Sequence, residues 1–172
     1  KFNRGIKSNR SIHSEDHTIE IQLPFLQMMG KRCRIVPLIF GNPTVKNCRI
    51  LSDAIIASAG DKKVFVLSST DMSHYPSYED ANKVDRATLE IIKTMDPDKI
   101  FAHLDNQVGK KSILGLQTAL CSRGGLGTAI LFAKAKGADQ AQVLHYANSG
   151  DVSFTDKSRV VGYSSVLFIK KP

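Results

Sequence analysis

Val64-Phe65-Val66-Leu67-Ser68-Ser69-Thr70-Asp71-Met72-Ser73-His74-Tyr75 passes from a short β-branched and aromatic run into a loop crowded with polar side chains. The apolar run reads as a fully buried strand. In open α/β sheets ligands bind outside the carboxyl ends of strands, where short loops hang from a rigid scaffold. This loop brings a carboxylate, an imidazole three residues later, several hydroxyls and a tyrosine to such a place. Two readings stand for it. It is a reactive or ligating loop, or a capping loop in which Asp71 accepts from backbone N–H groups and His74 stacks on Tyr75.

Upstream, Arg34-Ile35-Val36-Pro37-Leu38-Ile39-Phe40 reads as another strand, with Pro37 placing it at an edge or a bulge. Residues 43–59 between the two runs have a helical apolar pattern (Val45, Cys48, Leu51, Ile55, Ile56) that stops at Gly60. Strand, helix and strand in succession imply a right-handed crossover and two parallel strands. The expected fold is therefore α/β, a mixed, largely parallel sheet flanked by helices, built as one domain over residues 1–172.

Other elements follow from punctuation. Ser14 can cap a helix through His17, Ile19, Leu23 and Leu26 to Met29, with Gly30 as its stop and Pro24 as a kink or break. Ser77 can cap a long helix through Val84, Leu89, Ile92 and Met95. Asp96-Pro97 then ends it and starts the next, which turns Ile100, Phe101 and Leu104 inward. The small, apolar run 113–135 is interrupted by Cys121-Ser122-Arg123-Gly124-Gly125, which is expected to split two helices and to permit close approach of another group. Residues 142–146 and 160–169 are strand candidates. Between them Asn148-Ser149-Gly150-Asp151 signals a turn, and residues 154–158 lengthen the loop beyond a tight hairpin.

Composition narrows the function classes. No apolar run approaches the about 20 residues needed to cross a bilayer, and the first residues lack the apolar core of a signal peptide, so a cytoplasmic protein without membrane contact is expected. Three cysteines without a CxxC spacing give no disulfide framework. The formal charge is +8, with nine basic and four acidic side chains in residues 1–60 against fifteen and twelve in the rest. Lys1, Arg4, Lys7 and Arg10 lack an intervening acid. No basic run interleaved with aromatics follows them, so nucleic acid is a minor hypothesis as a partner.

Four motifs stand in order along the chain. They are Glu15-Asp16-His17-Thr18-Ile19-Glu20-Ile21-Gln22-Leu23-Pro24-Phe25, the Ser-Ser-Thr-Asp-Met-Ser-His-Tyr loop from Ser68, Cys121-Ser122-Arg123-Gly124-Gly125-Leu126-Gly127, and Tyr146-Ala147-Asn148-Ser149-Gly150-Asp151-Val152 followed by Arg159-Val160-Val161-Gly162-Tyr163. Together they resemble the Memo family, also called the Memo-like or AmmeMemoRadiSam system protein B family. The resemblance implies a fold like that of the class III extradiol, non-haem iron dioxygenases and a metal-type site of two histidines and one cysteine. By this resemblance Cys121 stands at the cysteine ligand position. The histidine ligands belong to family motifs that precede the stretch matching Glu15, and this chain has neither. It thus resembles the carboxyl-terminal part of the family, and an incomplete metal site is expected unless a second polypeptide supplies the rest. His74, Asp71 and His17 match positions that face the same cleft.

The expected cofactor is a transition metal, iron or copper, since a soft thiolate suits such ions and imidazoles beside it can ligate or shuttle protons. One functional reading is a metal-dependent redox or oxygenase-like enzyme acting on a small molecule, with Cys121 on the metal and His74 as base. A second is a non-catalytic module that grips a peptide or protein in the same cleft. A third makes Cys121 a nucleophile with His74 as base and Asp71 as orienter. Cys33 and Cys48 read as core residues, His13 as a solvated loop residue, and His103 and His145 as structural or exposed.

Overall fold

The structure is a computed structural model that describes residues 5–29, 34–108, 113–152, 154 and 156–171. Among the described residues, five α-helices and a two-stranded antiparallel sheet are the longer elements: α1 (Leu23–Met28), α2 (Val45–Ala59), α3 (Tyr78–Ile92), α4 (Pro97–Val108), α5 (Arg123–Ala135), β1 (Gln140–Asn148) and β2 (Gly162–Ile169).

Three helices start where their caps dictate. Thr44 accepts from Asn47 N at the head of α2, and Ser77 accepts from Asp80 N at the head of α3. Asp96 accepts from Asp98 N and Lys99 N ahead of Pro97, whose fixed φ and missing donor suit the first turn of α4. The core lies between α3, α4, α5 and the sheet, where Met72, Val84, Leu89, Ile92, Ile100, Leu104, Leu120, Leu126 and Ile130 pack together. Alternating residues of β1 and β2 close it, with Val143 and Val166 as direct partners and a bulge between Val143 and His145. The loop joining the strands is long, as its composition implied.

The α/β class holds, but the largely parallel sheet does not. Neither residues 34–40 nor residues 64–67 form a strand, and the sheet present is the antiparallel β1–β2 pair. The apolar runs expected as strands are without assigned helix or strand. They lack a neighbouring strand among the described residues, and a strand exists only by pairing.

Two helix expectations also change. Residues 14–19 are not helical; a 3₁₀ turn at Glu20–Gln22 leads into α1, whose first turn contains Pro24, so the proline marks a start and not a kink. Gly30, the expected stop, lies outside the described residues, as do Lys1, Arg4 and Cys33. Of the run 113–135 only the second half is helical. Residues 117–121 instead run beside the 71–74 loop, with His74 N donating to Thr118 O at 2.9 Å and Gln117 N to His74 O at 3.0 Å. The two glycines sit inside the first turn of α5. A Cβ on Gly124 would lie 2.6 Å from the Phe40 ring, and one on Gly125 2.7 Å from Ser68 Oγ. No described helix is long and apolar enough to cross a membrane.

Burial divides the apolar residues into two populations with different energetic weight. Ile130 is fully buried in the core, whereas Phe65 is 80% exposed. Ile130→Ala should therefore cost about 2–5 kcal/mol in urea unfolding. Phe65→Ala should change it by less than about 0.5 kcal/mol; a large loss there would mean that residues 64–67 contribute to the core.

Candidate metal site

Residues 71–75 are held in place from two sides. Toward β2, Met72 N donates to Gly162 O at 2.8 Å, Gly162 N to Ser73 O at 2.9 Å and Tyr75 N to Val160 O at 2.7 Å. Toward the other side, the His74–Thr118 bond is joined by Cys121 N donating to Asp71 O at 3.2 Å. This irregular seam sets the turn before α5 against the loop. Cys121 thereby meets Asp71 and His74 across 50 and 47 residues of sequence.

Asp71, His74 and Cys121 each offer one ligand atom, and these atoms lie within 4.8 Å of one another. His74 Nε2 is 3.2 Å from Asp71 Oδ2. The sulfur is exposed and receives the Asp71 N–H at 3.2 Å, with Thr70 Oγ1 at 3.4 Å. Thr70 Oγ1 in turn accepts from Ser122 N at 2.9 Å, which fixes the turn carrying the cysteine. A thiolate, an imidazole and a carboxylate converging from two loops form a donor set that first-row transition ions accept. His74 also packs obliquely on Tyr75, with ring centroids 5.5 Å apart, so the stacking of the capping-loop reading coexists with the ligand geometry.

Tyr75 carries a positive φ of 70°, in the left-handed region that a bulky residue enters only under constraint. Its neighbour Gly115 is also left-handed, and a Cβ there would lie 2.5 Å from Tyr75 O. Arg159 stacks on the Tyr75 ring with its guanidinium carbon 4.0 Å from the centroid. Tyr163 lies close enough to Asp71 to respond to its charge: burial, and then that charge, push the phenol up from its usual range.

Beneath the loop is a residue that sequence reasoning missed. Asp85 of α3 is fully buried and accepts from Ser73 N at 2.9 Å, from Ser73 Oγ at 3.0 Å and from Tyr146 Oη at 2.8 Å. It holds the residue between the two candidate ligands of the loop. An acid on an amphipathic helix gives no signal of this; only its position on the buried face would have singled it out. Thr70 was likewise read as one hydroxyl among several.

The remaining expectations resolve as follows. His17 is exposed, bonded to Glu20 at 3.0 Å, and lies outside the group of three. Gln22, on the turn after it, donates to Ser69 Oγ at 3.0 Å and ties that segment to the loop. Cys48 is a core residue with Sγ against Gly124 O, and burial pushes its thiol up. His103 bonds Thr88, and His145 is exposed. Asn148 and Asp151 form a capping box around the turn after β1, with Tyr78 Oη donating to Asp151.

The Asp85 environment yields a pH dependence. Burial raises its carboxyl above the ordinary range, against the pull of the Tyr146 and Ser73 donors. The folded state then holds a proton that the unfolded chain releases near pH 4. Stability contributed by this group is present below that pH and is lost as pH rises through the folded value. The stability advantage of the native protein over Asp85→Asn should accordingly shrink as pH climbs from about 4 toward neutrality. Urea midpoints across that range check it, and a growing advantage would contradict the raised value.

Comparison with known proteins identifies a family. The family profile described as Memo-like protein matches residues 2–167. A MEMO1 family protein of Methanobrevibacter smithii is 36% identical over 169 residues, covering 97% of this chain and 56% of the relative. Those of Archaeoglobus fulgidus and Methanopyrus kandleri are 32% and 34% identical, over 91% of this chain and 56% and 53% of their own lengths. The chain thus spans about half the length of these relatives.

Proposed function

The chain belongs to the Memo-like protein family, and on that premise we propose that Asp71, His74 and Cys121 hold a transition metal, iron or copper, in a redox or oxygenase-like protein. The observation that carries this reading is the convergence of sulfur, imidazole nitrogen and carboxylate oxygen within 4.8 Å. Three protein ligands with a position left for another group are the pattern of a reactive metal site, as opposed to a closed structural one. Iron or copper bound there would supply one-electron chemistry to a small molecule.

The chain's own residues have separate tasks. Cys121 provides the soft donor that favours such ions. His74 and Asp71 supply the imidazole and carboxylate donors beside it, with His74 Nε2 3.2 Å from Asp71 Oδ2. Thr70 and the Asp71 N–H orient the sulfur, and Asp85 fixes the peptide between the two loop ligands. His17 has a more distant place in this scheme, reaching the loop through the segment that Gln22 anchors. The family resemblance adds further histidine ligands from a part that this chain does not span. On that reading the three residues here are the share of the site that this chain carries.

Anaerobic loading with iron(II) or copper(I), dialysis against a mild chelator and elemental analysis provide the test. The native chain should bind metal measurably and lose part of it to the chelator, as a share of a site would. Cys121→Ser should lower affinity by more than the roughly 10–100-fold that loss of an outer partner costs, because a neutral hydroxyl replaces a soft anion. Equal metal content in the native chain, Cys121→Ser and His74→Ala would overturn the assignment. Absence of metal together with retained peptide binding would favour the non-catalytic module.

A further inference from the structure

Two groups meet the Tyr75 ring: the His74 imidazole, with 5.5 Å between centroids, and the Arg159 guanidinium, its carbon 4.0 Å from the centroid. The register that sets Arg159 there is fixed, because Val160 O accepts from Tyr75 N at 2.7 Å and Val160 N donates to Pro76 O at 3.0 Å. A cavity of about 420 Å³ opens beside the pair, lined by Tyr75, Asp80, Leu114, Gly115, Gln117 and Arg159 among others. Its volume falls within the roughly 300–1,000 Å³ of small-molecule sites. Gly115, left-handed at φ 81°, lies so close to Tyr75 O that any Cβ would collide with it, which keeps this wall free of a side chain.

The lining determines which chemistry the cavity would recognise. Stacking engages the face of the Arg159 guanidinium, whereas its N–H donors lie in the plane and can engage an acceptor. Arg49 and Arg123 pair with Asp98 and Asp105; Arg159 has no ion pair among the described residues. A planar fork of donors matches a carboxylate. Asp80 stands in the same cavity, with Ser77 Oγ at 3.0 Å and Lys83 Nζ at 3.7 Å, and its charge disfavours a dianion such as phosphate more than a monoanion. Tyr75 and Leu114, the latter 89% exposed, offer apolar surface to the rest of a ligand.

We infer that this cavity is a binding site for a small organic monocarboxylate with an apolar body, the carboxylate on the Arg159 fork and the body on Tyr75 and Leu114. The site adjoins the candidate metal group through Tyr75, the residue after His74. Its recognition needs no metal, and the inference stands apart from the metal reading.

Cyclohexanecarboxylate, a monoanion with a compact apolar ring, is the probe, and its uncharged amide and inorganic phosphate are the comparisons. Each is titrated into the full 172-residue chain without metal, followed by two-dimensional amide NMR. The carboxylate should bind with a Kd of about 1–10 mM and move the Tyr75, Gly115, Gln117 and Arg159 signals. The amide should bind at least about tenfold more weakly, the loss expected when a charge-assisted hydrogen bond goes. Arg159→Gln should weaken the carboxylate by about tenfold or more while the urea transition persists, since the side chain is exposed. Arg159→Lys should recover part of that loss, because the charge returns without the fork. Binding indifferent to Arg159→Gln, an amide as good as the carboxylate, phosphate bound more tightly, or shifts confined to other residues would overturn the inference. So would the lack of saturable binding up to about 50 mM.

Discussion

The backbone seam between residues 71–75, residues 117–121 and the start of β2 is the constraint on which the candidate site depends. Asp71 and His74 are neighbours in sequence, but Cys121 reaches them only because its own N–H donates to Asp71 O and the chain ahead of it bonds His74. Each of these bonds is worth about 1 kcal/mol net, yet leaving several buried groups unpaired would cost more than that apiece. The seam therefore closes as a unit. Asp85 reinforces it from below by giving both polar groups of Ser73 a buried acceptor.

How far the sequence disclosed this structure depended on whether an element satisfies itself. An α-helix closes its own hydrogen bonds, and its ends are marked by local chemistry, so Ser77 and Asp96-Pro97 located two helices from a few residues each, and the apolar pattern ending at Gly60 located a third. A strand needs a neighbour. Residues 34–40 and 64–67 have the composition of strands, and nothing in a local window could reveal that no strand pairs with them among the described residues. The run 113–120 misled for a related reason: small apolar residues suit a helix by propensity, but the seam made better use of their backbone groups beside His74. The antiparallel β1–β2 pair was legible because its strands and turn are close in sequence.

The site was legible to a different degree. Asp71 and His74 stood out from their place after an apolar run, and Cys121 from its motif, whereas their convergence is a tertiary fact that no spacing of 47 residues encodes. Asp85 and Thr70 carry no motif of their own. Their importance lies in what they touch: a buried peptide in one case, a sulfur and a backbone N–H in the other. His17 shows the converse. Its motif is clear, but its side chain faces solvent beside Glu20.

The apolar run 64–67 and the candidate metal site meet within a few residues. Thr70 lies two positions beyond Ser68, and it touches the Cys121 sulfur and the Ser122 N–H. Ser68 and Phe40 abut the glycines of the first turn of α5, three and four residues beyond that cysteine. The loop is thus fixed on its β2 and 117–121 flanks by backbone hydrogen bonds, while on the flank that leads in from residue 64 it is held by packing and by the Gln22 bond to Ser69 Oγ.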